Sequence, residues 1–280
     1  MKRTFQQALT SETPLQILGV LNPFMAILAE DVGFNALYLS GAGVANMSFG
    51  LPDLGLTTLE NVLEDARRIT SRTPLPLLVD IDTGWDDMAQ TIQSMEQAGV
   101  AAIHIEDQQV NKRCGHRPGK RLVSQEEMCD RIKGAACARQ DKNFVIMART
   151  DAVAVEGLDA AVTRAKAYVE AGADMLFPEA LEDLENYTRF KEIGVPILAN
   201  LTEFGKTPGF TLNDLRSAQI DMALYPLTVS RVMNRAAHDA MKEIRNEGTQ
   251  KDLIKKMMTR DELYELLDYE KQELTFRGLS

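Results

Sequence analysis

The stretch Leu75-Pro76-Leu77-Leu78-Val79-Asp80-Ile81-Asp82, answered by Ala101-Ala102-Ile103-His104-Ile105-Glu106, decides the fold. Both are short apolar runs with little polar alternation, the signature of strands buried on both faces. Between them, residues 88–98 carry helical spacing and stop at Gly99. Strand, helix, strand in this order is a parallel βαβ unit. Both strands end in carboxylates, which core strands rarely do.

The same unit recurs in both directions. Strand-like runs fall at 16–20, 35–40, 75–82, 101–106, 144–150, 175–179, 196–202 and 222–226. Helical patterns follow at 24–31, 57–71, 88–98, 124–139, 158–171, 181–193, 212–218 and 229–246. Ser124 with Glu127 three residues later has capping-box form. Eight βα units close a TIM barrel, whose usual size is about 250 residues. The alternative, an open doubly wound sheet, finds no dinucleotide fingerprint, because Gly41-Ala42-Gly43 lacks the third glycine at the required spacing. The expected fold is therefore α/β, a (β/α)8 TIM barrel over 1–250. A charged helical tail over 251–280 is expected to pack on the barrel or on a neighbouring subunit.

Composition narrows the function. The chain has 280 residues, 45% of them hydrophobic, a formal charge of -10 and three cysteines. It carries no apolar run of the ~18–20 residues that span a membrane and no apolar signal core after Met1. The expectation is a cytoplasmic protein without membrane contact. Its acidity argues against nucleic acid. Three cysteines make no disulfide framework, and no zinc pattern stands out. Cys129 and Cys137, eight apart in a helical pattern, are expected as core or half-buried packing residues.

The chemistry gathers where strands end, the catalytic face of a TIM barrel. Alternation puts Asp80 and Asp82 on one face. Two carboxylates side by side call for a cation, and oxygen ligands completed by water suit Mg²⁺. Glu106 can join them, directly or through water. Tyr38 and Ser40 come from the second strand, Arg149 from the fifth, Glu179 from the sixth, Asn200 and Thr202 from the seventh. Burying so many polar groups costs several kcal/mol each unless they are paired. A functional cluster explains them better than packing does.

One loop completes the set: Lys112-Arg113-Cys114-Gly115-His116-Arg117-Pro118-Gly119-Lys120. Cations around Cys114 favour its thiolate, and glycines with a proline permit movement over a site. Local cations in an acidic protein point to a small anionic ligand. A divalent cation, an arginine, amide and hydroxyl donors and a thiol describe a site for a small polycarboxylate. Mg²⁺ chelation with a proton moved at carbon by the thiol fits retro-aldol carbon–carbon cleavage. His116 can tune Cys114 or hold a carboxylate. Tyr38, Asp53 and Glu106 are all candidates for the general base.

Lys112-Arg113-Cys114-Gly115-His116 resembles the signature of the isocitrate lyase and phosphoenolpyruvate mutase superfamily. Within it the chain is most similar to the methylisocitrate lyase family, over nearly its whole length. The matching stretches include Gly50-Leu51-Pro52-Asp53-Leu54-Gly55, His104-Ile105-Glu106-Asp107-Gln108 and Val155-Glu156-Gly157-Leu158-Asp159. The resemblance implies Mg²⁺-dependent cleavage of 2-methylisocitrate to pyruvate and succinate, the last step of the methylcitrate route for propionate. It implies that Asp80 and Asp82 hold the metal and that Ser40, Gly41 and Ala42 form a substrate-binding turn. Cys114 matches the cysteine that protonates the succinate carbanion, and Gly115 a substrate-contacting backbone position. Arg149, Glu179, Asn200, Leu201 and Thr202 match substrate-site residues, as do Arg231 and Arg260. A homotetramer with a swapped C-terminal helix is also implied.

The chain departs from the family pattern after the metal aspartates. The stretch Gly84-Trp85-Asp86-Asp87-Met88 is about four residues shorter, with Trp85 where phenylalanine is common. Asp86 and Asp87 are read as solvated residues, or else as modifiers of metal binding or substrate choice. Lyases of dimethylmalate or isocitrate and an oxaloacetate decarboxylase therefore stay open as alternatives. The phosphoryl-transfer members are disfavoured because their chemistry does not need the Cys-Gly-His loop. A barrel kept only for binding would be expected to have lost Cys114 or a metal aspartate, and neither is missing.

Overall fold

The computed structural model describes residues 2–110 and 115–278. All eight expected strands are present: β1 (Leu15–Gly19), β2 (Ala36–Leu39), β3 (Leu77–Asp80), β4 (Ala102–Glu106), β5 (Val145–Thr150), β6 (Met175–Pro178), β7 (Leu198–Asn200) and β8 (Met222–Tyr225). They form one parallel sheet in the order β6-β5-β4-β3-β2-β1-β8-β7. A bridge between Leu176 and Ile197 joins the two outer strands, so the sheet closes on itself. This is the expected TIM-type barrel.

The helices around it are α1 (Phe5–Ser11), α2 (Pro23–Asp31), the single turn α3 (Gly41–Gly43), α4 (Leu59–Thr70), α5 (Met88–Gln97), α6 (Gln125–Ala138), the short α7 (Val153–Glu156), α8 (Leu158–Glu170), α9 (Leu184–Lys191) and α10 (Leu212–Ser217). Their starts follow local chemistry. Asn22, Thr58, Asp87, Ser124 and Thr211 each accept a backbone N–H of the first turn, which satisfies a donor the helix leaves open. Helix α1 lies in a stretch too short and polar to stand out by periodicity. The chain from Gly41 continues into a π-helical turn, Val44–Ser48, that the strand and helix patterns also miss.

The barrel interior explains where the site must lie. Alternate residues point inward, and on the lower part of the barrel they are apolar: Leu15, Ile17, Ala36, Tyr38, Leu78, Ala102, Val145, Met147, Met175, Phe177, Leu198, Met222 and Leu224 form one cluster. Phe5 and Ala8 of α1 join it and cover the N-terminal end. Continue the period of two up each strand and the inward face turns polar: Asp80 after Leu78, His104 and Glu106 after Ala102, Arg149 after Met147, Glu179 after Phe177, Asn200 after Leu198. The lower layers supply the apolar burial that holds the barrel, and the upper layer is free for chemistry.

Two details differ from expectation. Cys129 is half-buried but Cys137 is exposed, because residues 132 and 135 carry the buried stripe of α6 at that end and residue 137 faces outward. Only half of the Ser124–Glu127 capping box forms. Ser124 accepts the Glu127 N–H at 3.1 Å, while the Glu127 carboxylate turns to Arg131 at 2.7 Å.

The chain divides into two compact units, Met1–Thr228 with the barrel and Val229–Ser280. The second unit holds α11 (Thr228–Glu247) apart from its first residue, a 3-10 turn (Ile254–Lys256), α12 (Arg260–Leu266) and α13 (Tyr269–Phe276). Tyr264 and Tyr269 stack at 4.3 Å between ring centroids. Val232, Met233, Met241 and Ile244 of α11 are exposed. Among the described residues no helix is long and apolar enough to cross a membrane.

Gly19 ends β1 where a Cβ would lie 1.8 Å from the Pro226 carbonyl oxygen. The obstacle is backbone, so neither side yields easily. Gly19→Ala is expected to destabilise the barrel by at least the ~1–3 kcal/mol typical of overpacking. A thermal unfolding midpoint equal to wild type would show that β1 and the chain after β8 can separate there.

Candidate active site

The β2–β3–β4 side of the barrel mouth is built by strand register. Asp80 pairs with His104 across β3 and β4, which puts both on the inward face. His104 Nε2 lies 3.6 Å from Asp80 Oδ1 and 3.0 Å from the Tyr38 hydroxyl. Tyr38 and His104 stack at 5.7 Å, and Phe177 meets the imidazole edge-on at 5.1 Å. Asp80 accepts backbone N–H groups from Gly41 at 3.2 Å and from Asp82 at 3.0 Å. Simple alternation does not place Asp82. Strand β3 ends at Asp80, and Asp82 takes a left-handed backbone with φ +50°, which Asp tolerates better than most residues. The turn, not the pleat, brings the carboxylates together. A Cβ on Gly41 would lie 3.0 Å from Asp80 Oδ2 and 3.3 Å from Asp82 Oδ1, so both carboxylates converge on the Gly41 turn.

Ser40 helps shape that turn. Its buried side chain accepts the Gly43 N–H at 3.2 Å, holding Gly41 and Ala42 in α3 beside the two aspartates.

The β4–β5–β6 side centres on Arg149. Glu106 and Arg149 are register partners, and their side chains form an ion pair of 3.2 Å. Arg149 Nε also meets Asp151 Oδ2 at 3.0 Å and Glu179 Oε2 at 3.2 Å. Burial disfavours the guanidinium charge, but Asp151, Glu179, Glu106 and Asp80 together raise its pKa well above the usual arginine value. Burial likewise pushes Glu179 up, yet Arg149, His116 and Lys120 outweigh it and hold the carboxyl below the usual range. Asn200 donates to Glu179 at 3.2 Å. His116 approaches the same carboxylate, with Nε2 2.5 Å from Oε1. Its Nδ1 accepts the Lys206 N–H at 3.0 Å, so in the neutral ring Nε2 carries the proton toward Glu179.

The cationic loop stands on a short antiparallel stem. Gln108 and Leu122 form a bridge, Gln109 N–H reaches Arg121 O at 2.9 Å, and Val123 N–H reaches Asp107 O at 2.9 Å. Asp107 anchors the stem to the barrel. It is fully buried and accepts from Thr150 at 2.7 Å, from the Asp151 N–H at 2.9 Å and from Tyr168 at 2.9 Å. Burial first, and the Asp151 charge second, push its pKa up against those bonds. Arg131 of α6, which pairs with Glu127, donates to the carbonyls of Glu106 and Gln108. Further along, Gly115 lies flat against Arg149 and Glu179. Cys114 lies outside the described residues.

The remaining expected residues are placed as follows. Asp53 is half-buried in the loop before α4. Leu201 and Thr202 follow β7 and are half-buried. Arg231 lies on α11 and Arg260 opens α12, both in the second unit. Asp86 and Asp87 are exposed. Asp87 caps α5 through the Gln90 N–H at 3.0 Å, and Trp85 donates to the Thr57 carbonyl at 2.9 Å. These contacts give Asp87 and Trp85 structural roles of their own.

The residue-by-residue reading missed three buried participants: His104, Asp151 and Lys120. Two of them had a usable signal. His104 precedes Glu106 by two residues and Asp151 follows Arg149 by two, so each shares its neighbour's inward face. In sequence Lys120 reads only as one of the cations around Cys114, since only the folded loop brings it inside.

Among the described residues no cluster of three or more His, Cys, Asp or Glu fit for a metal exists. The convergence of Asp80 and Asp82 is a two-carboxylate donor set. It suits a cation that keeps water or takes substrate oxygens for the rest of its shell, as Mg²⁺ does.

At Gly115 a Cβ would lie 2.5 Å from Arg149 Nη2 and 2.5 Å from Glu179 Cγ. Gly115→Ala is therefore expected to lower kcat/KM about 10- to 100-fold, the scale of an ångström-sized misplacement, with the unfolding midpoint nearly unchanged. Wild-type turnover in this variant would mean that the Gly115 contact with Arg149 and Glu179 is irrelevant to catalysis.

Residues 5–245 match the phosphoenolpyruvate phosphomutase family. The chain is 59% identical over 272 residues to a 2-methylisocitrate lyase of Salmonella typhimurium, covering 95% of this chain and 92% of that one. Among solved structures it is similar to 2,3-dimethylmalate lyase, a member of the PEP mutase/isocitrate lyase superfamily, with TM-score 0.89 and 32% identity over 98% of this chain and 94% of that one. It is also similar to phosphonopyruvate hydrolase in complex with oxalate and Mg²⁺, with TM-score 0.84 and 28% identity over 98% and 97% of the two chains. With eight parallel strands, a carboxylate-lined mouth and these relatives, the chain belongs to the phosphoenolpyruvate mutase/isocitrate lyase family and is a lyase of that superfamily.

Proposed function

We propose that the protein cleaves 2-methylisocitrate to pyruvate and succinate, as a Mg²⁺-dependent enzyme of propionate breakdown through the methylcitrate cycle. The observation that carries this reading is the pairing of the Asp80–Asp82 convergence with the Arg149–Glu179 side beneath Gly115. One side suits a chelated α-hydroxy carboxylate, and the other provides a fixed cation and donors for a second carboxylate. The relative that is 59% identical bears the name 2-methylisocitrate lyase, which supports this substrate over dimethylmalate, isocitrate or oxaloacetate.

Asp80 and Asp82 would hold the metal, which when bound supplies Lewis acidity at the α-oxygens of the pyruvate half. The protein's own groups then divide the work. The hydroxyl proton leaves to a base as the carbonyl forms, the carbon–carbon bond breaks, and its electrons pass to the succinate carbon. A proton must reach that carbon, and Cys114 is the group proposed to deliver it from its thiol. Among the three candidates for base, Tyr38 has an imidazole nitrogen at 3.0 Å to take up or relay a proton. Glu106 instead pairs with Arg149. Arg149 supplies a fixed positive charge toward a substrate carboxylate, with Glu106, Asp151 and Glu179 holding its guanidinium in place and Asn200 and His116 holding Glu179. Ser40, Gly41 and Ala42 offer backbone and hydroxyl groups at the turn, and Leu201 and Thr202 complete the wall after β7. Arg231 and Arg260 are assigned to substrate binding in the assembled enzyme, which we take to be a cytoplasmic homotetramer.

Pyruvate release, coupled to lactate dehydrogenase, tests the reading with 2-methylisocitrate, isocitrate, dimethylmalate and oxaloacetate in parallel, each with Mg²⁺ and with EDTA. Rapid Mg²⁺-dependent release from 2-methylisocitrate alone is the expected result. Activity confined to another substrate would replace the substrate while leaving the family intact. Cys114→Ser should lose most of its kcat while still binding substrate, and a wild-type kcat would remove the thiol from the mechanism. Asp82→Ala should raise the Mg²⁺ concentration needed for half-maximal rate, and an unchanged requirement would rule out Asp82 as a ligand.

A further inference from the structure

We propose that Lys120 is a positioning residue: its ammonium, held by Asp151, pins the Gly115 carbonyl and so fixes the Gly115–His116 backbone against Arg149 and Glu179. The inference rests on the lyase reading of the site and adds a residue to it.

Lysine usually keeps its charged end in water. Here the Lys120 side chain is only 2% exposed, and Nζ donates to Gly115 O at 2.5 Å and to Asp151 Oδ1 at 2.7 Å. Both partners belong to the site. Asp151 is shared, since its Oδ1 also accepts from Arg149 Nη2 at 3.3 Å and its Oδ2 accepts from Arg149 Nε at 3.0 Å. Lys120 and Arg149 therefore grip one carboxylate from two sides. The position of the loop and the orientation of the guanidinium are coupled through Asp151.

The backbone around Lys120 is itself fixed. Its neighbour Arg121 accepts the Gln109 N–H, and Leu122 bridges to Gln108. From that stem the lysine reaches back five residues to Gly115. His116, next in sequence, is held from the other side by the Lys206 N–H and Glu179. The returning limb of the loop is thus held at the stem, at Gly115 and at His116. Only the Gly115 tie uses a charge that a single substitution removes without touching Arg149, Glu179 or His116. A lysine serving fold stability alone would not need its two partners to be the Gly115 carbonyl and the carboxylate that orients Arg149.

The test compares Lys120→Met, which keeps the stem length and removes the charge, with wild type. Three measurements are taken: kcat and KM on whichever substrate wild type turns over, the thermal midpoint, and amide hydrogen exchange of peptides spanning 115–123. Loss of a charge-assisted anchor predicts kcat/KM lower by about 10- to 100-fold. The loss should fall mainly on kcat, with faster exchange in 115–123 and barrel peptides exchanging as in wild type. Asp151→Asn should reproduce the faster exchange, and the double variant should be no worse than the poorer single one. Unchanged kcat, KM and exchange in Lys120→Met would overturn the proposal. So would a loss of activity that tracks only the unfolded fraction. If Lys120→Met does not fold, the exchange of Asp151→Asn decides by the same criterion. The exchange measurement needs no substrate, so a wrong substrate assignment leaves it standing, and a negative exchange result counts against Lys120 even if the lyase reading holds.

Discussion

Arg149 is the interaction on which the upper, charged layer of this barrel depends. Its guanidinium lies within ion-pair distance of Glu106, Asp151 and Glu179, carboxylates from β4, from the end of β5 and from the end of β6. Each of those carboxylates is almost wholly buried, and a buried charge stripped of its partner costs several kcal/mol. A planar, permanently charged fork can answer several carboxylates at once in fixed directions, which a lysine cannot. Lys120 adds a second buried cation on the far side of Asp151. The geometry of three strand ends and one loop is set by the same few charges.

The opposite side of the mouth follows a different logic. Asp80 is held by backbone N–H groups and lies beside a stacked Tyr38–His104 pair. Backbone donors fix the position of a carboxylate while leaving it anionic. One side is built from locked ion pairs and suits orientation. The other keeps oxygen ligands and an imidazole together and suits a cation and proton movement. The proposed cleavage, which must chelate one end of the substrate, hold the other and move a proton between them, would use both.

Below this layer the barrel is ordinary. Leu, Ile, Val, Met and Phe fill the inward positions, and Phe5 and Ala8 close the lower end. The division lets the strands carry stability low and chemistry high without conflict, because each strand changes character within two or three residues. The stem at Asp107–Gln109 and Arg121–Val123 extends the same economy to the loop. It is tied to the barrel through Asp107, Thr150 and Tyr168, so the loop leaves from a fixed base.

The sequence by itself determined the eight strands and the barrel, because apolar runs separated by helical spacing admit few other packings. It also placed Asp80, Glu106, Arg149, Glu179 and Asn200 at the mouth, since a period of two carries each strand's inward face upward from its core residues. Local pattern could go no further where contacts join residues distant in sequence. The left-handed turn at Asp82, not strand alternation, brings the two aspartates to Gly41. The ties of Lys120 to Asp151, of His116 to Lys206 and of Asp107 to Tyr168 span 31, 90 and 61 positions. Such pairings depend on where each loop and strand end comes to lie around the barrel. Which of these distant groups come within reach of one another is a property of the folded barrel, and only the tertiary structure decided it.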